Sequence, residues 1–184
     1  MRVITGSSRG RKLKTLEGDD IRPTTDIVKE AIFSSIQFEL DGAHVLDLFC
    51  GSGQLGIEAL SRGAKDCRFV DVSAASIECA RENITACKLN TQATLTQSDS
   101  LDFLRMARMT FDIAFLDPPY SKGLIEKALV LLEPKMSERG IVVCEHERGL
   151  VLPDTVGRLV KHKTHRYGKT TETTQYRIPM EDIQ

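Results

Sequence analysis

The stretch Asp47-Leu48-Phe49-Cys50-Gly51-Ser52-Gly53-Gln54-Leu55-Gly56 decides the fold. The apolar run His44-Val45-Leu46-Asp47-Leu48-Phe49 has no helical period and stops at glycine, so it reads as a buried strand. Gly51, Ser52, Gly53 and Gly56 then spell G-x-G-x-x-G, and Leu55 to Leu60 reads as the helix that follows. A strand, a tight glycine turn and a helix start make the first part of a nucleoside-binding unit, with the ligand at the carboxyl end of the strand.

Downstream the pattern repeats. Arg68-Phe69-Val70-Asp71 reads as a second strand, followed by a helix from about Ala74 to Lys88. Ala93-Thr94-Leu95-Thr96 is a third, followed by a short helix carrying Leu101 and Leu104. Phe111 to Leu116 is a fourth, followed by a helix carrying Leu124, Ala128, Leu131 and Leu132, and Ile141 to Cys144 is a fifth. Strands alternating with helices predict an α/β fold with a doubly wound, parallel sheet. The tail differs, because Leu159 to His165 and Thr173 to Ile178 flank Tyr167-Gly168-Lys169 with no helix between. That predicts an antiparallel hairpin at the sheet edge and a Rossmann-like sheet of seven strands. Upstream, residues 1–15 read as a hairpin turning at Gly6 to Gly10, and Arg22-Pro23-Thr24-Thr25-Asp26 as a loop offering helix N-caps. Val28, Ala31, Ile32, Ile36 and Leu40 form an apolar stripe at helical spacing. The expected organisation is an N-terminal hairpin and helix over 1–40 and the sheet domain over 41–184.

The chain has 184 residues, 41% hydrophobic and 28% charged, enough for one core without a disulfide framework. No apolar run approaches a membrane span, and the first residues, Met1-Arg2-Val3-Ile4-Thr5-Gly6, lack the apolar segment of a signal peptide. Cysteines at 50, 67, 79, 87 and 144 form no CxxC pair and are odd in number, which fits reduced thiols in a cytoplasmic protein. The histidines at 44, 146, 162 and 165 lack metal spacing, so no metal is expected. The net charge of −1 conceals an asymmetry. Residues 1–15 and 158–177 each carry +5, and the stretch 16–157 carries −9. Two basic ends that met in space would form a patch suited to a phosphate backbone.

Asp47 tilts the choice of ligand. A pyrophosphate at the helix N-terminus repels a nearby carboxylate, whereas a free ammonium welcomes one. S-adenosylmethionine carries that ammonium, a sulfonium cation and no diphosphate. Asp71 closes the second strand 20 residues after Gly51, where it would accept from both ribose hydroxyls, and Val72 would pack on adenine. Asp99 could take the adenine amino group, cap the next helix before Leu101, or both.

Asp117-Pro118-Pro119-Tyr120 follows the apolar fourth strand. The two prolines withdraw two N–H donors, which leaves the Asp117 carboxylate and the Pro118 carbonyl as rigid acceptors beside the flat face of Tyr120. The set suits a planar substrate with an exocyclic NH2. Hydrogen bonds from both N–H groups would draw the delocalised nitrogen towards tetrahedral geometry and aim its lone pair at a methyl donor.

The pairing of the glycine loop with Asp-Pro-Pro-Tyr resembles class I S-adenosylmethionine-dependent amino-methyltransferases. Related motifs occur in DNA adenine and protein glutamine methyltransferases, so the pairing implies the reaction and leaves the substrate open. Arg2-Val3-Ile4-Thr5-Gly6, Arg9-Gly10-Arg11-Lys12-Leu13, Arg22-Pro23-Thr24-Thr25-Asp26 and Lys29-Glu30-Ala31-Ile32-Phe33 resemble the N-terminal signature of the bacterial 16S ribosomal RNA guanine-N2 methyltransferase family, RsmD, and Tyr167-Gly168 with Thr170 resembles its final hairpin. That resemblance implies methylation of one guanine, position 966 in the usual RNA numbering, in the small ribosomal subunit. It implies a cytoplasmic monomer working on 16S rRNA, with ribosomal proteins of the particle nearby and no membrane. Carried over, Asp47, Phe49, Gly51, Ser52, Gly53, Asp71, Val72, Asp99 and Ser100 would hold S-adenosyl-L-methionine. Asp117, Pro118 and Tyr120, beside Pro119, would hold guanine. Arg9, Arg11, Lys12, Arg22, Thr24, Arg166 and Tyr167 would meet RNA. The competing readings are an N6-adenine methyltransferase, a nicotinamide oxidoreductase drawn from the bare glycine motif, and a non-catalytic ribosome-binding factor. Asp47 and the Asp-Pro-Pro-Tyr segment speak against the oxidoreductase.

Overall fold

The computed structural model describes residues 1–16, 26–120 and 123–179. Eight strands form one sheet in the order β3-β2-β1-β4-β5-β8-β7-β6. The parallel part comprises β1 (His44–Leu48), β2 (Asp66–Asp71), β3 (Ala93–Gln97), β4 (Phe111–Leu116) and β5 (Met136–Glu147). β6 (Thr155–Val156), β7 (Leu159–Tyr167) and β8 (Thr171–Arg177) extend it antiparallel, with β8 against β5. The expected seven strands become eight because Thr155 and Val156 pair with Val160 and Leu159 at the outer edge. Two residues are too few for a period to show in sequence.

The helices are α1 (Asp26–Ser35), α2 (Gln54–Ser61), α3 (Ala74–Ala86), α4 (Ser100–Met106) and α5 (Leu124–Leu132). Strand alternation divides the core into two layers. Val45, Phe69, Ile113 and Phe115 face α1, α2 and α3, whereas Leu46, Leu48, Ala114 and Leu116 face α4 and α5. Placing helices on both faces leaves β1 and β4 adjacent at the point where strand order reverses.

The N-terminal segment is a pinned arm. The expected hairpin forms: Val3 N donates to Arg11 O at 2.9 Å, Gly10 N to Val3 O at 2.9 Å and Leu13 N to Met1 O at 3.2 Å, around the antiparallel bridge of Arg2 with Lys12. The arm gains its hold from α2 and α3. Ser7 N donates to Ser61 O at 2.8 Å, Ser8 Oγ donates to Cys87 O at 3.1 Å, and a Cβ on Gly6 would stand 1.7 Å from Ser61 O. With the arm and α1 laid over it, every residue of α2 is buried. The α1 stripe continues through buried Ile36 and Leu40, but the helix itself ends at Ser35, whose hydroxyl turns back to Ile32 O at 2.7 Å.

Covering α2 buries a charge. Glu58 and Lys29 are both 0% exposed, with Lys29 Nζ 3.6 Å from Glu58 Oε2. Glu58 also accepts from Ile4 N at 2.8 Å, Thr5 N at 3.0 Å and Arg62 Nε at 2.8 Å. Four contacts on two carboxylate oxygens satisfy an ion that would otherwise be costly to bury. Burial outweighs the pull of Glu58 and lowers the Lys29 pKa.

Arg158 pairs with Glu133, Lys161 with Asp154, Arg166 with Glu172 and Arg177 with Glu39, so most of the C-terminal excess is matched locally. Short-range ion pairs with acids from elsewhere in the chain are invisible to a windowed charge count.

Candidate active site at the switch point

β1 ends in backbone geometry that no periodicity signals. Phe49 holds φ +67, Gly51 +52 and Gly53 +79. A left-handed conformation is costly for an aromatic residue and marks a turn over-determined by its surroundings. Those surroundings are visible: Cys50 N donates to Val70 O at 2.9 Å, Gly51 N to Asp71 Oδ2 at 2.9 Å, and Gly53 N to Cys50 O at 2.7 Å. Asn83, buried on α3, donates through Nδ2 to Ser52 O at 2.9 Å and to Lys14 O at 3.0 Å, tying loop and arm together. A Cβ on Gly56 would lie 2.3 Å from Phe69 Cε1, so α2 packs on β2 only because that position is bare. A Cβ on Gly51 would meet nothing within 4 Å, so the loop faces open space where a ligand can approach the backbone.

Three carboxylates surround that space, one from each of three neighbouring strands or their exits. Asp47 is buried in β1 and accepts from Gly56 N at 2.8 Å. Desolvation pushes its carboxyl up to about 8, opposed by the Gly56 amide and assisted by the charge of Asp71. Asp71 differs from the expectation of two open acceptors: Oδ2 takes Gly51 N and Oδ1 takes Ser73 N, each at 2.9 Å. Each oxygen keeps a second lone pair for a hydroxyl, and the carboxylate also fixes the glycine loop. Asp99 caps α4 through Oδ1, which accepts from Leu101 N at 2.9 Å and Asp102 N at 3.0 Å. Its Oδ2 carries no bond among the described residues. Val72 is 66% exposed beside this rim, and Ser100 is buried behind it. Anionic walls of this kind suit an ammonium, hydroxyls and an amine. They repel a diphosphate, so the donor set fits S-adenosylmethionine better than a nicotinamide dinucleotide.

The second motif arrives from β4. Leu48 is in register with Leu116, so Phe49 and Asp117 leave the sheet side by side, one strand spacing apart. Asp117 is half-buried, Pro118 buried, Pro119 exposed and Tyr120 half-buried. Tyr120 Oη and Thr171 Oγ1 share a 3.4 Å hydrogen bond, which brings the tip of the β7–β8 hairpin to the same rim. Tyr167, in register with Thr171, packs on the core there, and Arg166 is exposed but paired with Glu172. A cavity of about 260 Å³ opens on the α5 side of the motif, between Pro118, Pro119 and Tyr120 on one wall and Glu126, His146 and Glu147 on the other.

The structure separates Arg9 and Arg11 from this rim, whereas Lys14 is tied through Asn83 to Ser52 of the glycine loop. Arg9 lies in the turn held at Ser61, the end of α2 opposite the glycine loop, and Arg11 lies close enough to Cys87 to affect its thiol. α2 spans eight residues, so the turn that holds Arg9 stands about 12 Å from the glycine loop. Lys12 sits higher on the arm, opposite Arg2, and all three are exposed. Arg22 and Thr24 lie outside the described residues.

The description of the Conserved hypothetical protein 95 family matches residues 1–176. The chain belongs to this family. It is 45% identical over 175 residues to the YlbH protein of Bacillus subtilis, covering 92% of this chain and 95% of that one. It is 37% identical over 171 residues to the ribosomal RNA small subunit methyltransferase D of Haemophilus influenzae, covering 89% and 88%. A solved structure of the Escherichia coli protein yhhF superposes with a TM-score of 0.85 at 32% identity, covering 96% of this chain and 97% of that one. The resemblance read from the arm, the glycine loop and the Asp-Pro-Pro-Tyr motif is therefore sustained along the chain.

Sequence reasoning passed over Glu58, Lys29 and Asn83. A signal existed for two of them, since Glu58 interrupts Leu55-Gly56-Ile57 and Ala59-Leu60, and Asn83 shares a helix face with Ala80 and Ile84. Polar residues on an apolar stripe announce buried partners without naming them.

Proposed function

We propose that this protein is an S-adenosylmethionine-dependent methyltransferase of small-subunit ribosomal RNA, and that it methylates the exocyclic N2 of a guanine of the position-966 type. The observation that carries the reading is the β1–β4 register, which sets the acidic glycine loop beside Asp117-Pro118-Pro119-Tyr120. The relative named ribosomal RNA small subunit methyltransferase D supports the RNA class.

Asp47, Gly51, Ser52, Gly53, Asp71 and Asp99 hold the cofactor, with Phe49, Val72 and Ser100 shaping its walls. The bound cofactor supplies an electrophilic methyl group on a good leaving group. Asp117 and the Pro118 carbonyl accept the two N–H bonds of the base amine and direct its lone pair, while Tyr120 stacks on the ring and Pro119 flanks it. Methyl transfer would make the nitrogen four-coordinate and cationic, hence acidic, and Asp117 would take one of its two protons to leave the neutral N2-methyl amine. No metal enters the reading. The arm and helix over 1–40 serve as an RNA-facing extension of the 41–184 domain. Its Arg9, Arg11 and Lys12 would touch phosphates well away from the target base, and Arg22 and Thr24 belong to the same assignment. Arg166 and Tyr167 would meet RNA at the hairpin tip. The protein would act as a cytoplasmic monomer on the particle; among the described residues no helix is long and apolar enough to cross a membrane.

The test is methyl transfer from labelled S-adenosylmethionine to small subunits lacking the modification, with nucleoside mapping by mass spectrometry. N2-methylguanosine in the small-subunit RNA is expected, and Asp117→Ala should lower the rate roughly a hundredfold to a thousandfold while S-adenosylhomocysteine still binds. Product found only as N6-methyladenine, on free DNA or on protein glutamine would overturn the reading.

A further inference from the structure

We propose that Asn83 is a positioning residue of the cofactor site, which sets the glycine loop for S-adenosylmethionine by holding the Ser52 carbonyl. The inference rests on the placement of the cofactor on that loop.

The loop does not hold its shape by local preference. Gly51 and Gly53 both sit at positive φ, and glycine leaves such a conformation readily for several others. Bonds to the rest of the chain therefore set its geometry. Val70 O accepts from Cys50 N, and Asp71 Oδ2 accepts from Gly51 N, so β2 holds the start of the loop. Ser52, between the two glycines, is held from α3, where its carbonyl accepts from Asn83 Nδ2 at 2.9 Å.

Asn83 is buried in α3, although asparagine is a poor helix former and its amide is costly to bury without partners. The arm fixes its orientation. Lys14 N donates to Oδ1 at 2.7 Å, and Lys14 O accepts from Nδ2 at 3.0 Å. Turning the amide over would set NH2 against the Lys14 N–H and an oxygen against both carbonyls, so one orientation alone satisfies all three bonds. The Nδ2 donor is thus locked by the arm before any ligand arrives. A loop held in one shape in advance spares the ligand the cost of ordering it, and that saving appears as affinity. The bonds to Lys14 explain why the arm stays on α3. The bond to Ser52 reaches the cofactor loop, and it is the one that bears on the reaction.

The test uses the full-length protein, with S-adenosylhomocysteine binding followed by calorimetry and methyl transfer measured on small subunits. Asn83→Ala should bind S-adenosylhomocysteine about tenfold more weakly, the scale of one lost hydrogen bond. The KM for S-adenosylmethionine should rise by a similar factor, with kcat at saturating cofactor within about threefold of wild type. Asn83→Asp keeps the acceptor for Lys14 N and turns an oxygen on the two carbonyls. At about pH 8 it should bind no better than Asn83→Ala, and its gap to wild type should narrow as pH falls and the carboxyl gains a proton to donate. Ile84→Val, which thins the core one residue away, is the control for lost stability; it should lower the melting temperature and leave affinity within about twofold of wild type. Hydrogen exchange on wild type needs no variant to fold. S-adenosylhomocysteine should slow exchange across residues 50–54 and also at the Lys14 N–H, which opens only when Asn83 lets go. Protection of the loop with none at Lys14 overturns the proposal. An Asn83→Ala protein with wild-type affinity, or with its loss confined to kcat, overturns it too, and the cofactor placement stands in each case. No protection across 50–54 in wild type fails that placement, and this proposal with it.

Discussion

Replacing Asp47 by asparagine should stabilise the protein and cripple it. The buried carboxyl has its pKa pushed up from 3.8 to about 8. Below pH 4 the group is protonated in both folded and unfolded chains and makes no difference. Between 4 and 8 the unfolded chain ionises while the folded one keeps its proton, so stability falls as pH rises, by up to about 1.4 kcal/mol per pH unit. Above 8 both states are ionised and the penalty is constant, with a ceiling of roughly 5 kcal/mol across that window. Asparagine keeps an acceptor for Gly56 N and removes the ionisation. If about 3 kcal/mol is recovered, Asp47→Asn should melt roughly 6–12 °C above wild type at pH 8, with the gap closing near pH 4. On the proposed function, the same substitution removes the partner of the cofactor ammonium. S-adenosylhomocysteine, followed by calorimetry, should bind at least about tenfold more weakly. Wild-type affinity should rise with pH up to about 8, since the bound ammonium favours the ionised carboxylate and binding expels a proton. A melting difference that does not change with pH, or a variant that binds the ligand as well as wild type, would refute this account of Asp47.

Two further outcomes bear on the scaffold. Gly56→Ala places a methyl 2.3 Å from Phe69 Cε1, so α2 must lift from β2; a loss of about 2–3 kcal/mol in urea unfolding is expected, with weaker ligand binding because the glycine loop moves with the helix. Glu58→Gln leaves Lys29 buried without its counter-ion and should cost about 3–5 kcal/mol. Limited proteolysis should then cut the arm first, whereas an arm as protected as in wild type would show that Glu58 is not what pins it.

Much of the fold was legible because strand and helix periods are local. The parallel strands, the helix that follows each of β1 to β4, and the hairpin at Tyr167-Gly168-Lys169 each announce themselves within a dozen residues. The two site motifs were legible for the same reason, since glycine and proline impose backbone geometry wherever they stand. What periodicity reports is which face a residue occupies, never which distant segment covers that face. Only the folded chain decided that Leu48 pairs with Leu116 and so brings Asp117 to the glycine loop, that Asp71 spends both oxygens on backbone amides, and that the arm buries Glu58. Only the folded chain also placed Arg9 and Arg11 away from the rim. Each of these depends on contacts between residues far apart in the chain, and their free energy is settled by burial and by competition for hydrogen-bond partners. Neither quantity exists until the layers have closed.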